Sequence, residues 1–319
     1  MDTRFWGPDG WLLLHSITYF LPDTLKQNDK ENICNFFEIT SKILPCKYCR
    51  LSMQKFMKQL PIEKNCNSRD NMVKWIYKLH NKVNNKLRKQ GYCITDNPKF
   101  NIINNKFLDI KKQIKENKIF KLNNNNQICN SYSSDKKNKK VIKTKKIKKG
   151  YKNFQIKCNK QYDINDLMIC NNYIGSIIFN YPNYINSCSN DLHYKEIVSR
   201  YENYFNYIIK YCHLFDDKLS SRIKNYLDKH SLNKILMNYE IIIDENNNNK
   251  YTLDVNCKLK LYQWYFNLCK TINNTKESNK IDTFCRKFKK YIVKTCSDSK
   301  TINEKTKKLN TCRKLIINN

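Results

Sequence analysis

The sequence contains no alanine, and only five glycines and six prolines occur among its 319 residues. Asparagine, lysine, isoleucine and tyrosine are abundant instead. The scarce residues have GC-rich codons and the abundant ones have AT-rich codons, so codon bias is a sufficient explanation for much of the lysine. The formal net charge of +32 is therefore not, by itself, grounds for a nucleic-acid-binding function.

Long apolar runs are also missing. The longest ones, such as Trp11–Leu14 and Ile241–Ile243, are far too short to cross a bilayer. The N-terminus lacks the basic flank and apolar core of a secretory signal. We therefore expect a soluble protein of a reducing compartment, without a signal peptide or a membrane span.

Cysteine, in contrast, is plentiful. Stable disulfides are rare in reducing compartments, so fifteen cysteines indicate thiol chemistry, metal binding or assembly in an oxidising environment. Because fifteen is an odd number, at least one cysteine per chain is free or pairs between chains.

The basic charge is concentrated in the middle of the chain. Residues 111–160 carry 17 basic and two acidic side chains, and Lys136–Lys149 holds nine lysines without an acid. Such a segment cannot bury enough apolar surface to offset its ordering entropy, which predicts a linker. We therefore expect a domain at 1–110, a linker at 111–160 and a second domain at 161–319.

The predicted fold class is all-α. Four segments of the first domain have apolar residues at helical spacing. The first begins after Pro8 and Asp9, and the second ends before Pro45. The third runs from Cys46 to Pro61, and the fourth runs from Asp70 to Lys89. Four helices joined by short loops are typical of an antiparallel bundle. In the second domain, helical patterns near 191–213, 217–242, 253–273 and 280–296 predict a mostly helical structure.

A Cys-x-x-Cys motif, Cys46-Lys47-Tyr48-Cys49, lies at the predicted start of the third helix. The backbone N–H groups and the positive end of a helix stabilise a thiolate, which is the species that performs disulfide exchange. A structural zinc site would need a second ligand pair, and the sequence has no other Cys-x-x-Cys and no His-x₃₋₅-His. A thioredoxin-like site would follow a strand, whereas the sequence around this motif is helical. Cys46 and Cys49 are thus the candidate reactive pair.

Two further patterns fall on the first and fourth helices. His80, Asn84 and Leu87 share one helical face, where they could line a flat heteroaromatic ligand. The alternative is an ordinary polar face in a chain rich in asparagine and lysine. Trp11 and His15 are four residues apart, and such a pair is more often part of a core.

Taken together, these motifs resemble the Erv/ALR family of FAD-linked sulfhydryl oxidases. The elements are Trp11 with His15, then Cys46 with Cys49, and then Trp-x₄-His-Asn-x-Val-Asn-x-x-Leu from Trp75 to Leu87. The resemblance covers about the first 95 residues. A second basic helical domain after such a bundle is similar to the two-domain versions of giant, mimivirus-like DNA viruses.

The resemblance implies a four-helix bundle with a short fifth helix that holds FAD. Cys49 would lie against the isoalloxazine ring, and Cys46 would face the incoming thiolate. The implied cofactor contacts are Gly7, Trp11, His15, Tyr19, Cys49, His80, Asn81, Val83, Asn84, Lys86, Leu87 and Lys89.

The implied activity is an FAD-linked thiol oxidase that forms disulfides in thiol-containing substrate proteins and reduces O2 to hydrogen peroxide. The resemblance also implies a homodimer and, for a viral protein, a location in the host cytoplasm or the virion. The alternative is a basic nucleic-acid-binding or structural protein with a non-catalytic bundle. In that case Lys136–Lys149 would contact phosphates.

The sequence departs from the family pattern at one position where many members have a disulfide that ties the fourth helix to the following loop. Many members carry a cysteine three residues before the conserved histidine, and Tyr77 occupies that position here. The partner of Cys93 stays open, as Cys66, another cysteine or none. Cys129, or Cys296 with Cys312, are candidates for a shuttle thiol, although ordinary buried or free thiols are the simpler interpretation.

Overall fold

The computed structural model describes residues 3–90, 96–121, 161–185, 188, 190–243, 249–253, 255–273 and 281–289. Helices dominate these residues, as the predicted fold class requires. The first part of the chain forms five helices, α1 (Thr3–Phe20), α2 (Gln27–Ile43), α3 (Lys47–Gln59), α4 (Arg69–Lys89) and α5 (Phe100–Asn117). Helix α1 packs against α4 and α5, while α3 packs against α2 and α4.

The ends of α4 follow the rules for helix termini. Ser68 precedes the helix, and its hydroxyl accepts a hydrogen bond from the Asn71 N–H at 3.3 Å. Asp70 lies in the first turn, and Lys86, Arg88 and Lys89 lie in the last turn, so the charges complement the helix dipole. The helix predicted from Asp70 to Lys89 is confirmed.

The predicted start of α1 is wrong. The helix begins at Thr3, and Pro8 lies inside it. Proline at this point removes a single backbone hydrogen bond near the start of the helix. Burial of Phe5 and Trp6, which pack on Phe288 and Tyr173 from the second half of the chain, favours the additional turn.

The second half contains seven helices within the described residues. They are α6 (Ile164–Met168), α7 (Asn172–Ile185), α8 (Asp191–His213), α9 (Asp217–Lys229), α10 (Leu232–Leu236), α11 (Val255–Asn273) and α12 (Ile281–Lys289). The helix predicted over 191–213 is confirmed. Residues 290–296 of the last predicted helix lie outside the described part of the chain.

Two short antiparallel strand pairs accompany the helices within the described residues. Strand β1 (Ile119–Lys121) pairs with β2 (Gln161–Asp163), and β3 (Glu240–Ile243) pairs with β4 (Asn249–Thr252). The segment near 217–242, predicted to be helical, is helical in α9 and α10, but its last residues belong to β3. Ser231 caps the new helix α10, and the β-branched run in β3 favours an extended backbone.

The hydrophobic core is continuous between the two halves of the chain. Helix α7 packs along α1, and α8 packs along α2. The ring of Phe20 stacks on Phe215 at a centroid distance of 3.9 Å, and Phe36 stacks on Tyr204 at 5.8 Å. Helix α5 also continues past residue 110, while residues 122–160 of the predicted linker lie outside the described residues. The division into two domains stays a prediction.

A membrane-crossing helix is not present in the described part of the chain, because no helix there combines sufficient length with sufficient apolar character.

Candidate functional site

The Cys-x-x-Cys motif forms the N-terminus of α3, as predicted. Cys46 precedes the helix with an extended backbone, and its carbonyl accepts the N–H groups of Cys49 and Arg50, each at 3.0 Å. Cys46 is only 5% exposed, whereas Cys49 is half-buried. The two sulfurs therefore share the positive end of one helix but have different surroundings, which suits two different roles.

Arg50 adds a buried positive charge directly after this motif. One guanidinium nitrogen donates to the Leu44 carbonyl at 2.7 Å, and the guanidinium carbon lies 4.0 Å from the centre of the Tyr184 ring. Tyr184 belongs to α7, so the second half of the chain contacts the start of α3. Neither residue was predicted, since a lone arginine after Cys49 forms no recognisable pattern.

A cleft opens between α1, α3 and α4 beside the motif. Its empty space is about 810 Å³, and this volume includes space that is open to solvent. Eight of the twelve predicted contacts line it, namely Gly7, Trp11, Cys49, His80, Val83, Asn84, Lys86 and Leu87. Its other lining residues, missed at the sequence level, are Thr3, Trp6, Pro8, Gly10, Leu14, Leu44, Ser52, Met53 and Tyr173.

The other four predicted contacts lie elsewhere among the described residues. His15 is buried behind the cleft wall, and its Nε2 is 3.2 Å from Nδ1 of His80. Tyr19 donates its hydroxyl to Asn104 at 3.1 Å and stacks on Phe107 of α5. Asn81 and Lys89 lie on parts of α4 that do not face the cleft.

The two histidines are neutral over a wide pH range. Burial lowers the pKa of His80 to about 3. Burial also lowers the pKa of His15 well below its usual value, and the nearby His80 and Lys106 lower it further. The His80 ring stacks on Trp11 with 4.0 Å between centroids and 10° between planes. The wall at this point is thus flat, aromatic and uncharged.

One cation and one indole N–H are polar groups of residues that line the cleft. The Lys86 ammonium donates to the Ser52 hydroxyl, which holds a positive charge at the wall. The Trp6 indole nitrogen is buried without a hydrogen-bond partner among the described residues. A Cβ at Gly7 would meet nothing within 4 Å, so space is open beside the backbone there. Flat walls, a cation, an available N–H and a cysteine are a set that fits a flavin nucleotide.

Tyr77 connects α4 to the segment that follows it. Its hydroxyl donates to the Pro98 carbonyl at 2.8 Å, and its ring contacts Phe100 edge-on at 5.3 Å. The hydrogen bond connects α4 to the residues that precede α5. Several other sequence candidates, Cys93, Cys129, Cys296, Cys312 and Lys136–Lys149, lie outside the described residues.

Comparison with known proteins identifies the family. Residues 8–107 match the model of the Erv1/Alr family. The FAD-linked sulfhydryl oxidase of African swine fever virus is 35% identical over 89 residues, which make up 27% of this chain and 70% of that protein. The chain belongs to the Erv1/Alr family. The predicted family is confirmed.

Other Erv1/Alr proteins match the same region. The probable FAD-linked sulfhydryl oxidase R368 of Acanthamoeba polyphaga mimivirus is 32% identical over 85 residues, 26% of this chain and 59% of that protein. The mitochondrial FAD-linked sulfhydryl oxidase ERV1 of Saccharomyces cerevisiae is 33% identical over 91 residues, 28% of this chain and 47% of that protein. The chain thus spans about half the length of these two relatives. No solved structure matches the chain.

The Erv1/Alr match extends from α1 into α5 and includes most of the cleft. Tyr173 lies outside the match and reaches the cleft from α7. A side chain of the second half therefore lines a cleft whose other lining residues all come from the first half of the chain.

Proposed function

We propose that this protein is an FAD-dependent sulfhydryl oxidase that forms disulfides in thiol-containing proteins and passes the electrons to O2, with hydrogen peroxide as the product. One observation carries the proposal. Cys49 of the redox motif lines the same cleft as Trp11 and His80, in a member of a family whose relatives are named FAD-linked sulfhydryl oxidases.

The cleft residues would bind the cofactor by their shape and charge. Trp11, His80 and Leu87 provide flat or apolar surface for the ring systems, and Lys86 provides a positive charge for the phosphates. Neutral His80 leaves the wall uncharged near the ring. When bound, FAD supplies a two-electron acceptor that O2 can reoxidise.

The cysteines perform the exchange with the substrate. A substrate thiolate attacks the Cys46 sulfur of a Cys46–Cys49 disulfide, and the Cys49 sulfur leaves as a thiolate. A second substrate thiolate then attacks the substrate sulfur of the mixed disulfide and releases Cys46. The substrate has lost two electrons, and the pair has gained them. The N-terminal end of α3 stabilises both thiolates as they form.

The alternative function, a basic nucleic-acid-binding protein, has less support. Lys136–Lys149 lies outside the described residues, so the geometry adds nothing to a nucleic-acid contact. The predicted homodimer and the predicted substrates also stay predictions.

The proposed function is tested with the purified protein and a dithiol substrate. We expect a yellow protein that consumes O2 and produces hydrogen peroxide. Cys49→Ser should abolish O2 consumption while the protein keeps its flavin, because the change removes the sulfur beside the cleft. Cys212→Ser, at a buried cysteine of α8, is the control for losing a thiol elsewhere. A colourless wild-type protein, or near-normal turnover of Cys49→Ser, would reject the proposal.

A further inference from the structure

Two cysteines outside the redox motif are in contact with each other. Cys34 lies on α2 and is half-buried, and Cys66 lies in the buried turn before α4. Cys66 lies close enough to Cys34 to raise the pKa of the Cys34 thiol, and α2 packs against the short turn at Ile62–Lys64 just before Cys66. The Cys66 sulfur also contacts the Glu63 carbonyl at 3.3 Å. Because these cysteines are far apart in sequence, their contact depends on the tertiary fold.

The backbone holds these two segments together without help from the sulfurs. The Leu25 N–H donates to the Asn67 carbonyl at 3.2 Å, and the Arg69 N–H donates to the Asp23 carbonyl at 3.1 Å. Thr24 and Ser68 form a bridge between these two bonds. The turn that carries Cys66 is therefore fixed against the residues that lead into α2. The backbone thus holds Cys66 near the start of α2, and a disulfide tolerates little displacement between its two cysteines.

We propose that Cys34 and Cys66 form a structural disulfide that closes a ring around the redox motif. The ring would run from residue 34 to residue 66 and would contain all of α3 with Cys46 and Cys49. It would therefore restrain the segment in which thiols and disulfides alternate during exchange.

Formation of the bond needs only a disulfide as oxidant. One cysteine thiolate attacks that disulfide and releases one oxidant thiol; the other cysteine then attacks the protein sulfur of the resulting mixed disulfide and releases the second oxidant thiol. Cys34 and Cys66 together lose two electrons and two protons, and the oxidant leaves as two thiols. The inference does not depend on the proposed oxidase activity, since any accessible disulfide would serve.

The surroundings indicate a structural bond rather than a shuttle. Burial, followed by the contact with Cys66, raises the pKa of Cys34 to about 12, so the folded protein holds very little of its thiolate at neutral pH. Slow thiol–disulfide exchange at Cys34 and Cys66 would prevent their bond from taking part in exchange at the reactive pair in α3.

Peptide mapping of the wild-type protein is the direct test. The reduced, folded protein is incubated with glutathione disulfide, alkylated without reductant, digested and analysed by mass spectrometry. We expect a peptide pair joined through Cys34 and Cys66, with no alkyl group on either. Alkylation of both positions, or a different partner for either one, would overturn the inference.

Thermal unfolding gives a second readout. Cys34→Ala, Cys66→Ala and the double variant should each lower Tm by roughly 5–10 °C, without additivity, because each breaks the same cross-link. A reductant should lower the wild-type Tm to that of the variants. Cys212→Ala is the control, because the decrease in Tm that it causes should be the same with and without reductant. Additive losses that persist in reductant would count against the bond.

The outcomes are separable from those of the proposed function. A colourless, inactive protein that carries the Cys34–Cys66 bond would reject the oxidase and keep this inference. An active flavoprotein in which both cysteines are alkylated would do the reverse.

Discussion

At the scale of single residues, the two buried histidines make the protein sensitive to acid. The pKa of His80 is lowered to about 3 by burial, whereas an unfolded histidine titrates near 6.5. Below about pH 6.5 the unfolded chain therefore binds protons that the folded chain does not. Stability should be complete above this pH and should fall as the pH decreases toward 3.

A substitution at His80 tests this dependence. Each such histidine lowers the free energy of unfolding by up to about 1.4 kcal/mol per pH unit in this window. His80→Gln should therefore show a shallower decline than the wild type in urea unfolding between pH 6.5 and 4.5. Parallel curves for the two proteins would contradict the assignment of a neutral His80.

Many of the residues that line the cleft could be predicted from the sequence, but how deeply each one is buried could not. Trp11, His80 and Leu87 follow from helical spacing and the family motif, and they line the cleft. His15 is also in the motif, yet it lies behind His80, because the inward face of α1 includes both cleft and core. Spacing identifies the face of a helix, but it does not distinguish a residue at a surface from one beneath it.

At the scale of secondary-structure elements, the start of α3 depends on Arg50. Its guanidinium satisfies the Leu44 carbonyl and lies over the Tyr184 ring. Arg50→Met keeps most of the aliphatic stem but removes the donor and the charge. We expect a loss of about 2–3 kcal/mol in the free energy of unfolding.

The matched control for Arg50 is Lys47→Met on the same helix, at an exposed position. Its effect should stay within about 0.5 kcal/mol. Urea unfolding of the two variants gives both values. If both variants lost the same free energy of unfolding, Arg50 would contribute only its charge and not its specific contacts.

A helix with one clearly buried face was predicted well, and a helix buried on nearly all sides was not predicted. Helix α8 has a clear apolar face and was predicted with its observed bounds. Helix α7 is buried along almost its whole length, so it has no alternation of polar and apolar residues to detect. The end of the segment 217–242 was predicted incorrectly for another reason, because the pairing of β3 with β4 overrides local helical spacing from Glu240 onward.

At the scale of the whole molecule, α7 connects the second half to the cleft. The Asp9 carboxylate accepts the Asn172 N–H at 3.0 Å. A Cβ at Gly10 would lie 3.0 Å from the Tyr173 ring, so the two helices approach closely at this point. The Tyr173 ring in turn packs on Trp6 at 5.8 Å.

This contact predicts a role for the second half in holding the cofactor. Tyr173→Ala should lower the ratio of flavin to protein after gel filtration by several-fold, because it removes a wall of the cleft. Tyr173→Phe keeps the ring and should retain flavin as the wild type does. If the alanine variant kept its full flavin content, the second half would have no part in binding.

The pairing of β1 with β2 has a consequence for the segment between them. Lys121 and Gln161 are opposite each other in the ladder, so the chain leaves and re-enters the fold at points roughly 5 Å apart. The intervening residues are therefore not needed to set the distance between the two halves, whose relative position is fixed by α1 with α7 and α2 with α8. A peptide-bond cut in this segment should leave a nicked protein whose two fragments stay associated.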